Sequence, residues 1–114
     1  MEDCIFCRIA SGEMEADVVY EDDSVLAFRD INPQAPVHVL VIPRRHLRSV
    51  FDITPQDGEL LSRLFQAIRK VSEDEGIAGR GVRVLTNVER EAGQSVFHLH
   101  FHVLGGRPML WPPG

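Results

Sequence analysis

The stretch HLHFHVLGG, residues 98–106, decides how this chain is interpreted, because it holds three of the five histidines at every second position. Successive side chains of a β-strand point to opposite faces of a sheet. The spacing therefore predicts a strand with His98, His100 and His102 on one face and the intervening apolar side chains in the core. The outer two histidines would lie about 13 Å apart along such a strand. One zinc ion binds its nitrogens at about 2.0–2.1 Å, so the three histidines of a straight strand cannot share it.

Two interpretations of this histidine row compete. In the first interpretation, the histidines are only the polar side chains of a solvent-facing strand and have no catalytic role. The alternative is nucleophilic catalysis at phosphorus, because neutral imidazole is a good nucleophile near pH 7. The attacking nitrogen must then carry no hydrogen, so the other ring nitrogen should donate to a fixed acceptor. Flanking imidazoles would hold the phosphoryl oxygens as negative charge develops. The regular row with its apolar partners favours catalysis.

The rest of the chain predicts an α+β domain. β-branched and apolar runs predict strands before the histidine segment, at Val18–Tyr20, Val25–Phe28, Val37–Ile42 and Val82–Thr86. A short helix is expected over residues 5–10. A long helix is expected from the cap Thr54 and Pro55 to Gly76, with an apolar stripe on one face: Leu60, Leu61, Leu64, Phe65, Ile68 and Val71. Strands outnumber helices and do not alternate with them, which favours a mainly antiparallel sheet.

Length and charge narrow the functional classes. The chain has 114 residues and a net charge of −5. We expect one domain over residues 1–114 and no binding of nucleic acid or of an anionic membrane surface. No apolar run approaches the ~20 residues that span a bilayer. The acidic start at Glu2 and Asp3 is unlike a secretory signal, and we therefore expect a cytoplasmic location.

Several separated motifs resemble one known family. The stretch HLHFHVL matches the signature of the histidine triad superfamily, in which three histidines alternate with apolar residues. The stretches YEDDSVLAFRDINPQAPVHVLVIPRRH and GQSVFHLHFHVLGGRPMLWPPG are similar to the Hint branch of that superfamily, the nucleoside phosphoramidases. The resemblance covers nearly the whole chain and implies a HIT-like fold. It also implies a homodimer, in which the tail MLWPPG lies near the partner and helps to shape its pocket.

The resemblance implies a role for each matching residue. His100 matches the nucleophile, His98 the residue that supports it, and His38 and His102 the histidines around the α-phosphate. Ser95 matches the donor to the leaving amine. The resemblance also implies a set of substrate-binding residues: Asp30 for the ribose hydroxyls, Asn87, Gly93, Gln94, Ser95 and His102 for the phosphate and leaving group, and Ile5, Phe6, Phe28 and Ile31 for the base. For these four apolar residues a plain core position is equally expected.

The two cysteines, Cys4 and Cys7, form a C-x-x-C motif with three interpretations. A thioredoxin-like redox pair needs a βαβ context, and the sequence has none. The cysteines could also be two free buried thiols. The third interpretation is half of a zinc site. The resemblance implies His46 and His98 as the other two ligands, and such a closed Cys₂His₂ set would be structural.

The histidine row indicates nucleophilic catalysis at phosphorus, and the resemblance implies a hydrolase that cleaves a nucleoside 5′-phosphoramidate, with a purine base expected, through a covalent nucleotidyl-His100 intermediate. Histidine donors would supply the charge stabilisation, so no catalytic cofactor is expected, and zinc is expected only as a structural ion. Two alternatives remain. The first is a zinc hydrolase that uses His98 and His100 to hold a metal-bound water. The second is a nucleotide-binding interaction protein with vestigial catalysis.

Overall fold

The computed structural model describes residues 3–114, so the first two positions of the expected domain, among them Glu2, lie outside the described residues. Within residues 3–114, two α-helices and five strands follow one another: α1 (Ile5–Ala10), β1 (Val18–Glu21), β2 (Val25–Arg29), β3 (Val37–Pro43), α2 (Gly58–Asp74), β4 (Arg83–Leu85) and β5 (Phe101–Gly105). The strands form one sheet in the order β1-β2-β3-β5-β4, and all neighbouring strands are antiparallel. The predicted α+β class is confirmed.

The two faces of the sheet are covered by different helices. One face packs against the apolar side of α2, where Leu64, Ile68 and Val71 are buried. The other face carries a smaller cluster to which α1 contributes Phe6. Because β3 alternates its side chains between the faces, Val39 lies on the α2 side and Leu40 on the α1 side. No helix of the described chain is both long and apolar enough to cross a membrane.

The start of the long helix differs in detail from the prediction. Residues Pro55–Asp57 form a 3₁₀ turn, and α2 begins at Gly58. The Thr54 N–H donates to the Asp57 carboxylate at 2.9 Å, so Asp57 accepts the hydrogen bond that organises this turn. The predicted apolar stripe is otherwise right, except that Phe65 stays 51% exposed. Gly76, with φ of 75°, follows the helix end and permits the left-handed turn.

The prediction that all three triad histidines share one straight strand is wrong. β5 begins only at Phe101, so His98 and His100 precede it in irregular backbone. Two of the hydrogen bonds that hold this segment link it to the loop after β3 and to the residue after β4: the Leu99 N–H donates to the Leu47 carbonyl, and the Thr86 hydroxyl donates to the His100 carbonyl at 2.8 Å. The ladder stops here because Pro43, at the end of β3, has no N–H to extend it, while its carbonyl accepts from the His98 ring.

Candidate active site

The His100 ring is buried and has a fixed tautomer. Its Nδ1 lies 2.7 Å from the His98 carbonyl oxygen. A carbonyl oxygen only accepts, so Nδ1 carries the hydrogen, and Nε2 of the neutral ring carries a lone pair. The Phe6 ring meets His100 edge-on at 5.1 Å. Burial lowers the pKa of His100 below its ordinary value, which favours the neutral form that a nucleophile requires.

His38 and His102 form a chain of hydrogen bonds that begins at the main chain. The Gln34 N–H donates to Nδ1 of His38 at 3.0 Å. Neutral His38 must therefore carry its hydrogen on Nε2, which lies 2.9 Å from Nδ1 of His102. This contact makes Nδ1 of His102 an acceptor and leaves the His102 hydrogen on Nε2. A backbone N–H thus determines that His102 offers a donor.

Burial also keeps both of these rings uncharged. It lowers the pKa of His102 to about 4, with further contributions from the neighbouring His100 and His38. It lowers the pKa of His38 as well, although the nearby Asp30 acts in the opposite direction. The donor on His102 is therefore a neutral N–H near pH 7.

Asp30 lies beside this pair at the end of β2. One carboxylate oxygen accepts from the Asn32 N–H at 2.8 Å, and the other lies 3.5 Å from Nε2 of His38. Asp30, His38 and His102 offer ligand atoms within 4.8 Å of one another. However, Nε2 of neutral His38 carries a hydrogen rather than a lone pair. This tautomer suits a polar substrate group better than a cation.

The loop over residues 87–95 is held mainly by Gln94. The Gln94 amide donates to the carbonyls of Arg48 and Val96, at 2.8 and 3.2 Å, and its oxygen accepts from the Glu89 N–H at 2.7 Å. Both ends of the side chain are therefore engaged with the main chain, and the predicted phosphate contact of Gln94 stays a prediction. Gly93, with φ of 90°, and Ser95 are exposed, and Asn87 is half-buried.

The four apolar residues expected around a base fall into two groups. Phe6 and Phe28 are buried and meet edge-to-face at 5.4 Å, so both belong to the core of the α1 face. Ile5 is partly exposed, and Ile31 is fully exposed. Of the four, these two isoleucines are free to contact a ligand without any rearrangement of the core.

Cys4, Cys7, His46 and His98 converge in a second cluster behind the histidine row. Their four ligand atoms lie within 4.8 Å of one another. Nδ1 of His98 lies 3.2 Å from the Cys4 Sγ and 3.5 Å from the Cys7 Sγ, while Nδ1 of His46 lies 3.3 Å from the Cys7 Sγ. The edges of a tetrahedron with zinc bond lengths measure about 3.3–3.8 Å, so these four residues could hold a metal ion.

The potential metal ligands of this cluster have protonation states and orientations that suit a cation. Nε2 of His98 donates to the Pro43 carbonyl at 2.8 Å, so its Nδ1 lone pair faces the thiols. Burial lowers the pKa of His98 to about 4, which keeps the ring neutral. Burial and the adjacent Cys4 raise the pKa of Cys7 to about 11, so a bound cation would displace its proton.

The clusters also bear on the alternative of a zinc hydrolase built on His98 and His100. Among the described residues, His98 groups with the cysteines, His102 groups with Asp30 and His38, and His100 belongs to neither group. The Nδ1 lone pair of His98 faces a closed set of four protein ligands. A metal-bound water shared by His98 and His100 thus has no matching arrangement of side chains.

Three supporting groups escaped the sequence analysis. The Gln34 N–H, the Pro43 carbonyl and the Thr86 hydroxyl fix His38, His98 and the His100 segment respectively. Two of the three are main-chain atoms, for which side-chain identity gives no signal. Thr86 stands at the end of a predicted strand, and only its tertiary contact distinguishes it.

Comparison with known proteins agrees with this fold. The family model described as HIT domain matches residues 11–109. An uncharacterized HIT-like protein from Synechocystis is 52% identical over 113 residues, which cover 99% of this chain and 98% of that protein. The purine nucleoside phosphoramidase of Escherichia coli K12 is 45% identical over 108 residues, which cover 95% and 91% respectively.

Solved structures give the same result. The crystal structure of a HIT family hydrolase from Legionella pneumophila superposes with a TM-score of 0.96 at 48% identity and covers 98% of this chain and 100% of that chain. A histidine triad protein from Clostridium difficile gives a TM-score of 0.92 at 44% identity, with 96% of both chains covered. Fold and histidine constellation define a histidine triad protein. The chain belongs to the HIT family.

Proposed function

We propose that this protein hydrolyses nucleoside 5′-phosphoramidates to a nucleoside monophosphate and an amine, with purine nucleosides as its substrates. The observation that carries the proposal is the hydrogen bond from Nδ1 of His100 to the His98 carbonyl, because it leaves a lone pair on Nε2. The similarity to the Escherichia coli protein named purine nucleoside phosphoramidase supports the substrate class.

The reaction has two displacement steps at phosphorus. In the first step, Nε2 of His100 attacks, a nitrogen–phosphorus bond forms to the imidazole, and the bond to the substrate amine breaks. The departing amine takes a proton from the Ser95 hydroxyl, which regains one from solvent, and the water of the second step returns one proton to solvent. In the second step, water attacks the same phosphorus, the bond to His100 breaks, and the nucleoside monophosphate leaves. Each step replaces one bond to phosphorus by another, so no oxidant or reductant is needed.

The neighbouring groups position the substrate in this proposal. The neutral Nε2–H of His102 donates to a nonbridging phosphoryl oxygen, and His38 holds that donor in place. The Asp30 carboxylate accepts from the ribose hydroxyls, and the exposed Ile31 and Ile5 cover the base. Gly93 and Asn87 bring the loop close to the phosphate. Gln94 contributes indirectly, because its amide holds the main chain of the loop that carries Gly93 and Asn87.

The second cluster is proposed to bind zinc, with Cys4, Cys7, His46 and His98 as ligands. The ion's own contribution there is structural, since four protein donors complete its coordination. It would tie α1 to the turn after β3 and to the segment that carries His100. Thiolate ligation of this kind suits a reducing compartment, in line with a cytoplasmic location.

The active protein is proposed to be a homodimer. Leu110 and Trp111 in the C-terminal tail are 78% and 82% exposed, a large apolar surface for a folded chain. Burial of such side chains against a second copy would release that surface from water. The tail would then contribute to the partner's pocket.

The decisive experiment measures hydrolysis of adenosine 5′-phosphoramidate by wild type and by His100→Ala, each with and without chelator treatment, with intact mass read after a quench that avoids acid. The proposal expects turnover that survives chelation, is lost in His100→Ala and is accompanied by a transient nucleotidyl adduct. Activity that is lost on chelation while the protein stays folded, and that zinc restores, would instead indicate metal-bound water. Tight binding of nucleoside monophosphate with no turnover in either protein would favour the binding-module alternative.

A further inference from the structure

The last residue of β2, Arg29, connects this strand to the end of α2. Its Nη1 and Nη2 donate to the two carboxylate oxygens of Glu75 at 2.7 and 2.9 Å. Such a paired contact fixes the relative orientation of both groups, which a single contact does not. The Nε of Arg29 lies 3.3 Å from the Asp17 carboxylate. One side chain therefore holds together the end of β2, the end of α2 and the segment before β1.

The Arg29–Glu75 ion pair is more enclosed than a typical surface pair. The Glu75 side chain is 16% exposed, whereas both side chains of the Arg69–Glu73 pair on the same helix are about half exposed or more. Glu75 also forms the C-terminal cap of α2, where the negative end of the helix dipole disfavours a carboxylate. Loss of one partner from a shielded pair leaves the other charge uncompensated. Glu75 therefore depends on Arg29 for the compensation of its charge.

The residue after Arg29 is Asp30, and the two side chains point to opposite faces of the sheet. Successive side chains alternate at the end of a strand. Ala27 belongs to the cluster on the α2 face and Phe28 to the cluster on the α1 face. The same alternation directs the Arg29 side chain to α2 and the Asp30 carboxylate to the histidines, where it lies 3.5 Å from Nε2 of His38.

The main chain leaves the sheet directly after this point. The pairing of β2 with β3 runs as far as Arg29 and Val39, and the Asp30 N–H then donates to the His38 carbonyl at 3.0 Å. On the other side of β2, the Arg29 N–H donates to the Asp17 carbonyl at 3.0 Å. Asp30 thus stands at the border between strand and loop, so its position depends on how firmly the preceding residue is held.

We propose that Arg29 and Glu75 are positioning residues for Asp30 and thereby determine how strongly the protein selects nucleotides that carry ribose hydroxyls. This inference rests on the proposed function, in which the Asp30 carboxylate accepts from these hydroxyls. Hydrogen bonds weaken steeply when distance and angle depart from their optimum, so a small shift of the strand end reduces this selection. Loss of the ion pair releases the end of β2 from α2 but leaves the rest of the nucleotide site in place.

The test compares the affinities of the full-length protein for AMP and for 2′,3′-dideoxy-AMP by isothermal titration calorimetry. Wild type should bind AMP roughly ten-fold or more tightly, because hydrogen bonds to a charged acceptor are lost with the hydroxyls. Arg29→Ala and Glu75→Gln should each lower this affinity ratio about three-fold or more, mainly by weakening AMP. Arg29→Lys keeps the charge but not the paired donors, and its ratio should lie between those of wild type and Arg29→Ala.

Two reference variants make the affinity ratio interpretable. Arg69→Ala breaks an exposed ion pair on the same helix and should leave the ratio within about two-fold of wild type. Asp30→Ala should bring the ratio close to one, and adding Arg29→Ala to it should change the ratio no further, since the two residues act through one contact. A thermal scan verifies that each variant is folded at the titration temperature, because a loss of folded protein affects both ligands equally.

The possible failures of this inference and of the proposed function are distinguishable. If folded Arg29→Ala and Glu75→Gln keep the full wild-type ratio, Arg29 has a role in stability alone, and the proposed function is unaffected. A wild-type ratio near one, with both nucleotides bound, would show that Asp30 does not contact the hydroxyls and would overturn the positioning role. A further fall of the ratio in Asp30→Ala/Arg29→Ala would mean that Arg29 acts without Asp30. If wild type binds neither nucleotide, the proposed function fails and this inference fails with it.

Discussion

At the scale of single residues, the candidate site is governed by the positions of hydrogens on the imidazole rings. His100, His38 and His98 each face a main-chain group that fixes one ring nitrogen, and burial keeps all three rings neutral. The same residue type therefore presents a lone pair at His100 and, through His38, an N–H at His102. Chemically identical side chains acquire different roles from their partners alone.

His38 offers a direct test of this division. The variant His38→Ala should lower kcat/KM for a nucleoside phosphoramidate by roughly 10²-fold, because His102 loses the donor that fixes its tautomer. In His38→Gln, the amide N–H can still donate to Nδ1 of His102, so activity should recover by at least several-fold relative to alanine. Steady-state kinetics with one substrate will measure both. Equal losses in the two variants would contradict the relay and indicate a packing role.

A second prediction concerns Glu89, which has a φ of 66° and a ψ of 178°. This region of backbone space strongly favours glycine and costs other residues about 1–3 kcal/mol. Glu89→Gly removes that strain at the expense of an exposed ion pair with Arg48 and some chain entropy. We expect Glu89→Gly to change the free energy of unfolding by between about zero and +1 kcal/mol.

The matched control for Glu89 is Glu91→Gly, in the 3₁₀ turn of the same loop. Here glycine relieves no left-handed strain and should lower stability by about 0.5–1 kcal/mol. Urea unfolding of both variants gives the comparison. A loss at position 89 as large as that at position 91 would show that the unusual backbone stores no strain.

At the scale of elements, periodic sequence patterns predicted the helices and strands well. The i, i+3, i+4 stripe of α2 and the apolar run of β3 both survive in the structure, since each element buries one or both of its faces. The predicted ligand cluster of Cys4, Cys7, His46 and His98 also converges as expected from the resemblance.

The strand predicted through the whole triad failed for a tertiary reason. Alternation at residues 98–102 is what a strand would show, but the His98 ring binds the Pro43 carbonyl and faces thiols more than 90 positions away. Local pattern contains no information about such partners. The tautomer relay could not be predicted either, because it starts from the Gln34 N–H, which every residue except proline carries.

The junction between β5 and the turn after α2 gives a prediction for packing. A Cβ placed on Gly105 would lie 2.6 Å from Cδ1 of Ile77, far inside van der Waals contact. Gly105→Ala should therefore lower the free energy of unfolding by about 1–3 kcal/mol. In the background Ile77→Val, which lacks Cδ1, the same alanine should cost distinctly less. A double-mutant cycle from chemical denaturation measures this coupling, and simple additivity would contradict the steric account.

At the scale of the whole molecule, the Cys4–Cys7–His46–His98 cluster joins parts of the chain that the sheet does not connect. If it binds zinc, purified protein should contain about one zinc per chain, and Cys7→Ser should lower both zinc content and Tm. Atomic emission and a thermal scan with and without chelator will measure these. Phosphoramidase turnover by any folded metal-free protein should continue, since the nucleophile lies outside the cluster. If neither the chelator nor the substitution changes Tm, a structural role of zinc in this cluster is contradicted.

Stability should also depend on pH through the buried histidines. The pKa of His102 falls from 6.5 to about 4 in the folded protein, so between these values the unfolded chain binds more protons. Stability is then complete above pH 6.5 and decreases as the pH falls toward 4, by up to about 1.4 kcal/mol per pH unit for this group. His38 contributes in the same direction.

The variant His102→Asn isolates this contribution. It removes the titrating ring, so urea unfolding at pH 7 and pH 5 should show a smaller pH-dependent loss than in wild type. Between pH 5 and pH 7, the two proteins should differ mainly in how steeply their free energy of unfolding depends on pH. Parallel slopes would mean that His102 titrates near its ordinary value and is hydrated in the folded state.

The main-chain partners of the histidines have a consequence for how sequences of this kind can drift. The Gln34 N–H, the Pro43 carbonyl and the His98 carbonyl persist under almost any codon change at their positions. At position 34 only proline would delete the donor. The protonation states of these rings therefore depend on the backbone conformation rather than on the side chain at position 34. Any residue other than proline at position 34 keeps the N–H that His38 needs.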